Sequence, residues 1–130
     1  MTDDLDTKTD AQLSDIFAVE VAGWTFTLGT IEKWWRDGDG NFRGAGSINL
    51  PHFATSADAV LPWTEVDFLG KHGNCDIDYR TDSKEWRAHI YTDDGDFSVG
   101  SISPKFARTA CIARIRAERE KRAQKGAEQP

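Results

Sequence analysis

Apolar side chains follow two different periods along the chain, one helical and one extended. Over residues 10–22 they recur every three or four positions and form one face of a helix. A second helix is predicted within residues 56–70 and a third over residues 104–124. Ser103 followed by Pro104 marks the start of the third, because a capping serine before a first-turn proline is typical of helix N-termini.

Between these helices the period changes to two, which indicates strands with one buried face. A hairpin is predicted from residues 31–36 through an Asp-Gly turn at 37–40 to a return strand that starts at Asn41. A meander follows, with strands at residues 75–80, 86–91 and 97–99. Short turns leave no room for crossover helices, so the sheet is predicted to be antiparallel.

The apolar alternation in the meander also predicts its register. It joins four cross-strand pairs: Tyr79 with Trp86, Ile77 with Ala88, Asp78 with Arg87, and Asp76 with His89. The first two pairs belong on the buried face and the last two on the solvated face. His89 with the two aspartates could in principle hold a metal or a proton-transfer site. Cross-strand charge pairing is the favoured interpretation, since no nucleophile accompanies them.

The tryptophan pair in the hairpin gives the candidate partner-binding surface. Neighbours on a strand point to opposite faces, so Trp35 is predicted to face Phe42 in the core, and Trp34 to face Arg43. Trp34, Arg36 and Arg43 would then share a surface of the kind found at binding hot spots. The alternative, that a second layer of helices covers this face, stays open.

These elements predict an α+β domain: an antiparallel sheet of about five strands packed with three helices. A three-layer α/β/α sandwich is one arrangement that fits them. Residues 1–9 are predicted to be a disordered acidic tail, residues 10–124 a single domain, and residues 125–130 a second disordered tail.

Charged residues are distributed unevenly over the 130 residues, and this distribution bears on the possible binding partners. Residues 1–104 hold 8 Lys and Arg against 19 Asp and Glu, a net charge of −11, whereas residues 105–130 carry +5. An acidic body argues against direct nucleic-acid binding. The basic helix offers Arg108, Arg116 and Arg119 as an alternative, anion-binding site. It could also contact the acidic body of a second copy in a homodimer.

The sequence offers no catalytic constellation, metal-ligand spacing or cofactor motif, so a non-enzymatic protein without cofactors is predicted. Cys75 and Cys111 form no CxxC pair and are interpreted as small buried side chains. The acidic start is unlike a signal peptide, and no apolar run is long enough to span a bilayer. A cytoplasmic location without membrane partners is therefore expected.

Three segments resemble the phage ABA sandwich domain family. Leu13–Trp24 is similar to that family's opening helix with its Gly-Trp end, Leu50–Pro62 to the stretch before its middle helix, and Ser103–Ile115 to its closing helix. The resemblance implies a fold and a phage or prophage source, and it carries no catalytic residues.

Together these features predict a phage accessory protein that binds and inhibits or modulates a host protein in the host cytoplasm, for example a component of a defence system. The alternative is a protein that binds or sequesters a small anionic ligand, such as a nucleotide signal.

Overall fold

The computed structural model describes residues 4–28, 33–45, 52–64, 73–92 and 98–128. A short 3-10 turn, Leu5–Thr7, precedes three helices in the described ranges: α1 Asp10–Glu20, α2 Ala57–Thr64 and α3 Phe106–Glu128. The strands are β1 Thr25–Leu28, β2 Lys33–Arg36, β3 Phe42–Ala45, β4 Gly73–Arg80, β5 Glu85–Thr92 and β6 Ser98–Ser103. The predicted α+β class is confirmed.

The described strands form two sheets, where one sheet of about five strands was predicted. The first sheet has the order β1-β2-β3 and the second the order β4-β5-β6, and all pairings are antiparallel. The additional strand is β1, which the sequence did not separate from the approach to the hairpin. Its threonine and apolar residues alternate over only four positions, too few for a clear period.

The second sheet has the register that the apolar alternation predicts. Ile77 pairs with Ala88 and Tyr79 with Trp86, while the charged residues between them pair on the other face. Ala88 is buried and Ile77 packs against the core. The predicted register is therefore confirmed. The predicted burial is confirmed only in part, because Tyr79, near the end of β4, is 45% exposed although its ring contacts Trp86.

The first hairpin has a different register from the predicted one. A β-bulge between Trp35 and Arg36 places Arg36 opposite Phe42 and Trp35 opposite Gly44. The loop between β2 and β3 is longer than a two-residue turn. The Asp37 carboxylate stabilises it by accepting hydrogen bonds from the backbone N–H groups of Asp39 and Asn41. The bulge moves Phe42 away from Trp35 and onto the solvent-facing side of the sheet.

Helix α3 organises the core. Ile112 and Ile115 are fully buried in a cluster with side chains of α1, α2 and the first sheet. On another side of the helix, Ala113 and Ala117 pack against Ala88 and other apolar residues of the second sheet. Small side chains let the helix lie close to that sheet. Only this face of the second sheet carries a helix in the described part of the chain.

Residues 4–9 pack on the body, although they belong to the segment predicted to be a disordered tail. Leu5 is 0% exposed and belongs to the main core cluster. The backbone carbonyls of Asp6 and Lys8 accept hydrogen bonds from the guanidinium of Arg108. The sequence did not indicate this packing, because a single leucine in an acidic run gives no hydrophobic period. Arg108, which binds this segment, lies about a hundred residues further along the chain.

Both ends of α3 also differ from the prediction. The helix begins at Phe106, two residues after the predicted start, and Ser103 is the last residue of β6; its hydroxyl accepts a hydrogen bond from the Lys105 N–H just before the helix. At the other end, α3 runs to Glu128, four residues beyond the predicted end at residue 124 and into the segment predicted as a disordered tail. Arg122 donates a hydrogen bond to the Glu20 carbonyl at the end of α1. No helix in the described ranges, α3 included, is long and apolar enough to cross a membrane.

Candidate binding surfaces

Two exposed aromatic side chains lie together on the outer face of the first sheet. Trp34 is 49% exposed and Phe42 is 54% exposed, and their ring centroids are 5.9 Å apart. Arg36 lies on the same face, and its guanidinium donates a hydrogen bond to the Gly40 carbonyl at 3.1 Å. Trp34, Arg36 and Phe42 are called the aromatic face below.

The predicted binding residues divide between two faces of this sheet. Trp34 and Arg36 lie on the aromatic face, but Arg43 does not, because the bulge turns it to the other side. There its Cζ lies 5.5 Å from the centroid of the Trp24 ring, and its Nε lies 3.2 Å from the Asp37 carboxylate. The predicted stacking of Arg43 on Trp34 is therefore replaced by stacking on Trp24.

Arg43 borders an open groove of about 550 Å³ between the hairpin and α2. Four aromatic side chains and two basic ones contribute to its wall; we call it the aromatic groove, lined by Trp24, Phe42, Arg43, His52, Phe53 and Trp63 together with Ala59. These residues come from four separate parts of the chain. Sequence reasoning missed the groove because nothing in a one-dimensional pattern shows that these parts converge.

The loop that carries His52 and Phe53 is held in place by the core. The Ala54 N–H donates a hydrogen bond to the buried hydroxyl of Ser14 at 3.0 Å, which ties the loop to α1. The Phe53 ring is buried and stacks on Phe17 with centroids 4.5 Å apart. His52 is exposed at the rim, so the groove has a rigid apolar floor and a polar edge.

The three α3 arginines predicted as an anion site are each engaged by an acid of the N-terminal segment or of α1. Their shortest distances to these carboxylates are 2.8 Å for Arg108 with Asp10, 2.9 Å for Arg116 with Asp6, and 2.8 Å for Arg119 with Glu20. They bind three different carboxylates along the helix and do not converge on a common cradle. Their arrangement fastens the segment from Asp6 to Glu20 to α3.

These contacts shift the pKa of the Asp10 carboxyl group. Partial burial alone would raise the pKa of its carboxyl group. The hydrogen bonds and charges of Arg108 and Lys105 outweigh that effect, so the pKa of Asp10 lies below its ordinary value. The carboxylate form is thus the one that the fold stabilises.

The outer face of the second sheet carries another open groove, of about 600 Å³, above Gly100. The Arg87 guanidinium contacts the Asp78 carboxylate through two pairs of atoms at 3.3 Å, and the Tyr91 hydroxyl donates to Asp76 at 2.9 Å. The Asp78–Arg87 pair agrees with the predicted cross-strand charge pairing; Asp76 lies opposite His89 in the register, but its carboxylate accepts from Tyr91. Among the described residues, no group of three His, Cys, Asp or Glu could hold a metal ion.

Arg114 is a buried arginine that the sequence did not single out. Its Nε donates a hydrogen bond to the Trp63 carbonyl at 2.8 Å. Its Nη2 lies 3.6 Å from the carboxylate of Glu118, one helical turn further on. Burial lowers the pKa of the guanidinium, and Glu118 partly offsets that effect. Arg114 therefore supports the end of α2, next to one wall of the aromatic groove.

Cys111 is buried against α1, as predicted from the sequence. Burial raises the pKa of its thiol to about 12, although Arg108 acts in the opposite direction. A thiol in this state is neither a nucleophile nor a metal ligand at neutral pH. The side chain of Cys75 lies outside the described residues.

Comparisons of the chain with protein-family models, with curated proteins and with solved structures found no match. The resemblance to the phage ABA sandwich domain family stays a prediction that rests on the three sequence segments. What the protein does is therefore argued from its own surfaces.

Proposed function

We propose that this protein acts by binding another protein, and that it docks through the aromatic face. The observation that carries the proposal is the pair Trp34 and Phe42, each about half exposed and in contact with the other. Exposed aromatic side chains that cluster beside an arginine are the typical composition of an interface hot spot. Isolated exposed apolar residues would carry no such argument.

The aromatic face is also prepared for binding. Trp34 and Phe42 are carried by paired strands, so little backbone entropy is lost when a partner covers them. Arg36 is already oriented by its hydrogen bond to Gly40. An aromatic ring buries on the order of 150–250 Å² when fully covered, so two rings supply the centre of a small interface.

The partner that fits best is a protein with an apolar pocket inside a basic surface. Residues 1–104 carry a net charge of −11, which would attract a basic partner over long distances and accelerate the encounter. A basic groove that normally binds nucleic acid is one such surface. Under the phage resemblance, the partner is a host protein, such as a defence-system component, which this protein inhibits or modulates in the host cytoplasm.

Site-directed photo-crosslinking tests the proposal. A photoreactive phenylalanine derivative replaces Phe42 in one variant and Val19, an exposed side chain of α1, in a matched control. Both variants are incubated with bacterial lysate and irradiated, and the crosslinked products are identified by mass spectrometry. We expect one defined protein product from position 42 and none of it from position 19.

Competition then distinguishes docking from nonspecific capture. An excess of unmodified protein should suppress the crosslink, whereas an excess of the Trp34→Ala, Arg36→Ala variant should not. The proposal fails if both competitors act equally, or if positions 42 and 19 yield the same products.

A further inference from the structure

The aromatic groove combines π surfaces with an accessible positive charge. Trp24 and Trp63 are both half-buried, so part of each indole borders the groove. A buried phenylalanine ring packs edge-on against each indole. The ring centroids of Phe53 and Trp24 are 5.4 Å apart, and those of Phe17 and Trp63 are 6.4 Å apart. The two indoles are therefore held in fixed orientations.

Arg43 brings the positive charge to this wall. Its side chain is 52% exposed, and its guanidinium lies over the Trp24 ring. A guanidinium stacked on an indole keeps its N–H groups at the ring edge, where they remain available to a carboxylate or phosphate.

Arg43 already has one ion-pair partner. Asp37 contacts Arg43 through one atom pair at 3.2 Å, and solvent reaches the pair from the Arg43 side, since the Arg43 side chain is half exposed whereas the Asp37 side chain is only 13% exposed. Asp37 also accepts two backbone hydrogen bonds within its own turn. Backbone hydrogen bonds and the Arg43 charge together lower the pKa of Asp37, so its carboxylate is retained when Arg43 moves. The turn does not depend on Arg43.

From these observations we infer that the aromatic groove binds a planar heteroaromatic anion of the size of a nucleoside monophosphate. The ring stacks against Trp63 and the Arg43–Trp24 pair, and the phosphate is held by Arg43 with His52 at the rim. About 550 Å³ lies within the range typical of small-molecule sites and is too small for a folded nucleic acid.

This site differs from the α3 arginines that the sequence suggested for an anionic ligand. Those arginines bind three different carboxylates along α3, whereas Arg43, although it is paired with Asp37, is half exposed beside aromatic rings. The inference does not rest on the proposed protein binding, since the groove and the aromatic face share only Phe42.

Ligand-observed NMR and calorimetry with 5′-AMP test the inference, with adenosine and inorganic phosphate as the two halves of the probe. We expect 5′-AMP to bind with a Kd of about 1 mM or tighter, and each half to bind at least about tenfold more weakly. Arg43→Gln should weaken 5′-AMP binding by about tenfold.

The matched control is Arg87→Gln, which removes an equally exposed, aspartate-paired arginine from the second sheet and should leave 5′-AMP affinity unchanged. Circular dichroism verifies that both variants are folded. The inference is overturned if 5′-AMP does not bind at millimolar concentration, if inorganic phosphate binds as tightly, or if Arg43→Gln and Arg87→Gln have the same effect.

Discussion

Trp34 and Trp35 are adjacent in β2, yet Trp34 is 49% exposed and Trp35 is 1% exposed. The alternation of side chains along a strand puts them on opposite faces of the first sheet. Trp35 contacts Trp24 and Phe26 on the inner side, whereas Trp34 meets Phe42 on the outer side. The same residue type thus serves the core at one position and a candidate interface at the next.

This difference predicts unequal effects of the same substitution. Trp35→Ala should lower the free energy of unfolding by about 3–5 kcal/mol, because it removes a buried ring and leaves a cavity. Trp34→Ala should lower it by less than about 1 kcal/mol. Urea unfolding of the two variants checks the prediction, and comparable losses would contradict the placement of the two rings.

The structure also predicts an acid-sensitive contact between Asp10 and Arg108. A carboxyl group whose pKa is depressed in the folded protein adds stability that is complete above its unfolded pKa, near 4, and is lost as pH falls through the folded value. Asp10→Asn should therefore destabilise the protein at pH 7, by on the order of 1–2 kcal/mol.

The pH dependence provides the control for this variant. The stability difference between the natural protein and Asp10→Asn should begin to shrink below about pH 4, where the carboxyl group of the unfolded chain becomes protonated, and should be lost once pH falls below the lower pKa of the native carboxylate. Denaturant unfolding at several pH values measures the difference. A deficit that stays constant down to pH 2 would show that Asp10 contributes through packing and not through its charge.

Cys111 should react with thiol reagents only when the protein opens. Its thiol is buried and has a pKa raised to about 12, so both access and thiolate formation are suppressed. We expect alkylation of Cys111, followed by peptide mass spectrometry, to accelerate in parallel with global unfolding in urea. Rapid labelling without denaturant would mean that α1 separates from α3 in the native state.

The sequence predicted the structure correctly where a long alternating pattern coincided with a large energetic cost for a wrong strand register. In the second sheet, Asp76 and Asp78 flank Ile77, and any shift by one residue would bury them. The fully buried Ile112 and Ile115 likewise lie within the helix predicted over residues 104–124. In these elements the local pattern and the tertiary contacts agree.

Prediction from the sequence failed where contacts depend on one residue or on distant segments. The bulge after Trp35 shifts the hairpin register, and no alternation over four-residue strands could reveal it. The arginines of α3 were visible as a basic helix, but their partner acids are about a hundred positions away. The aromatic groove likewise joins segments whose approach only the fold defines.

The pairing of α3 with these acids leads to a prediction about assembly. The homodimer suggested by the charge asymmetry needs basic residues free to contact a second copy, but Arg108, Arg116 and Arg119 already bind carboxylates of their own chain. We expect light scattering to give the mass of a monomer at both low and high salt. A dimer that dissociates as salt rises would support pairing between subunits.

The attachment of Asp6 to Arg116 joins positions 110 residues apart, and this has a consequence for synthesis of the chain. Until α3 has left the ribosome, Leu13 and Phe17 of α1 and the inner face of the second sheet lack the helix that buries them. The nascent chain therefore carries exposed apolar surface until α3 has been synthesised. Folding of these elements then depends on the arrival of α3, and intermediates before that point are the ones that chaperones and proteases would encounter.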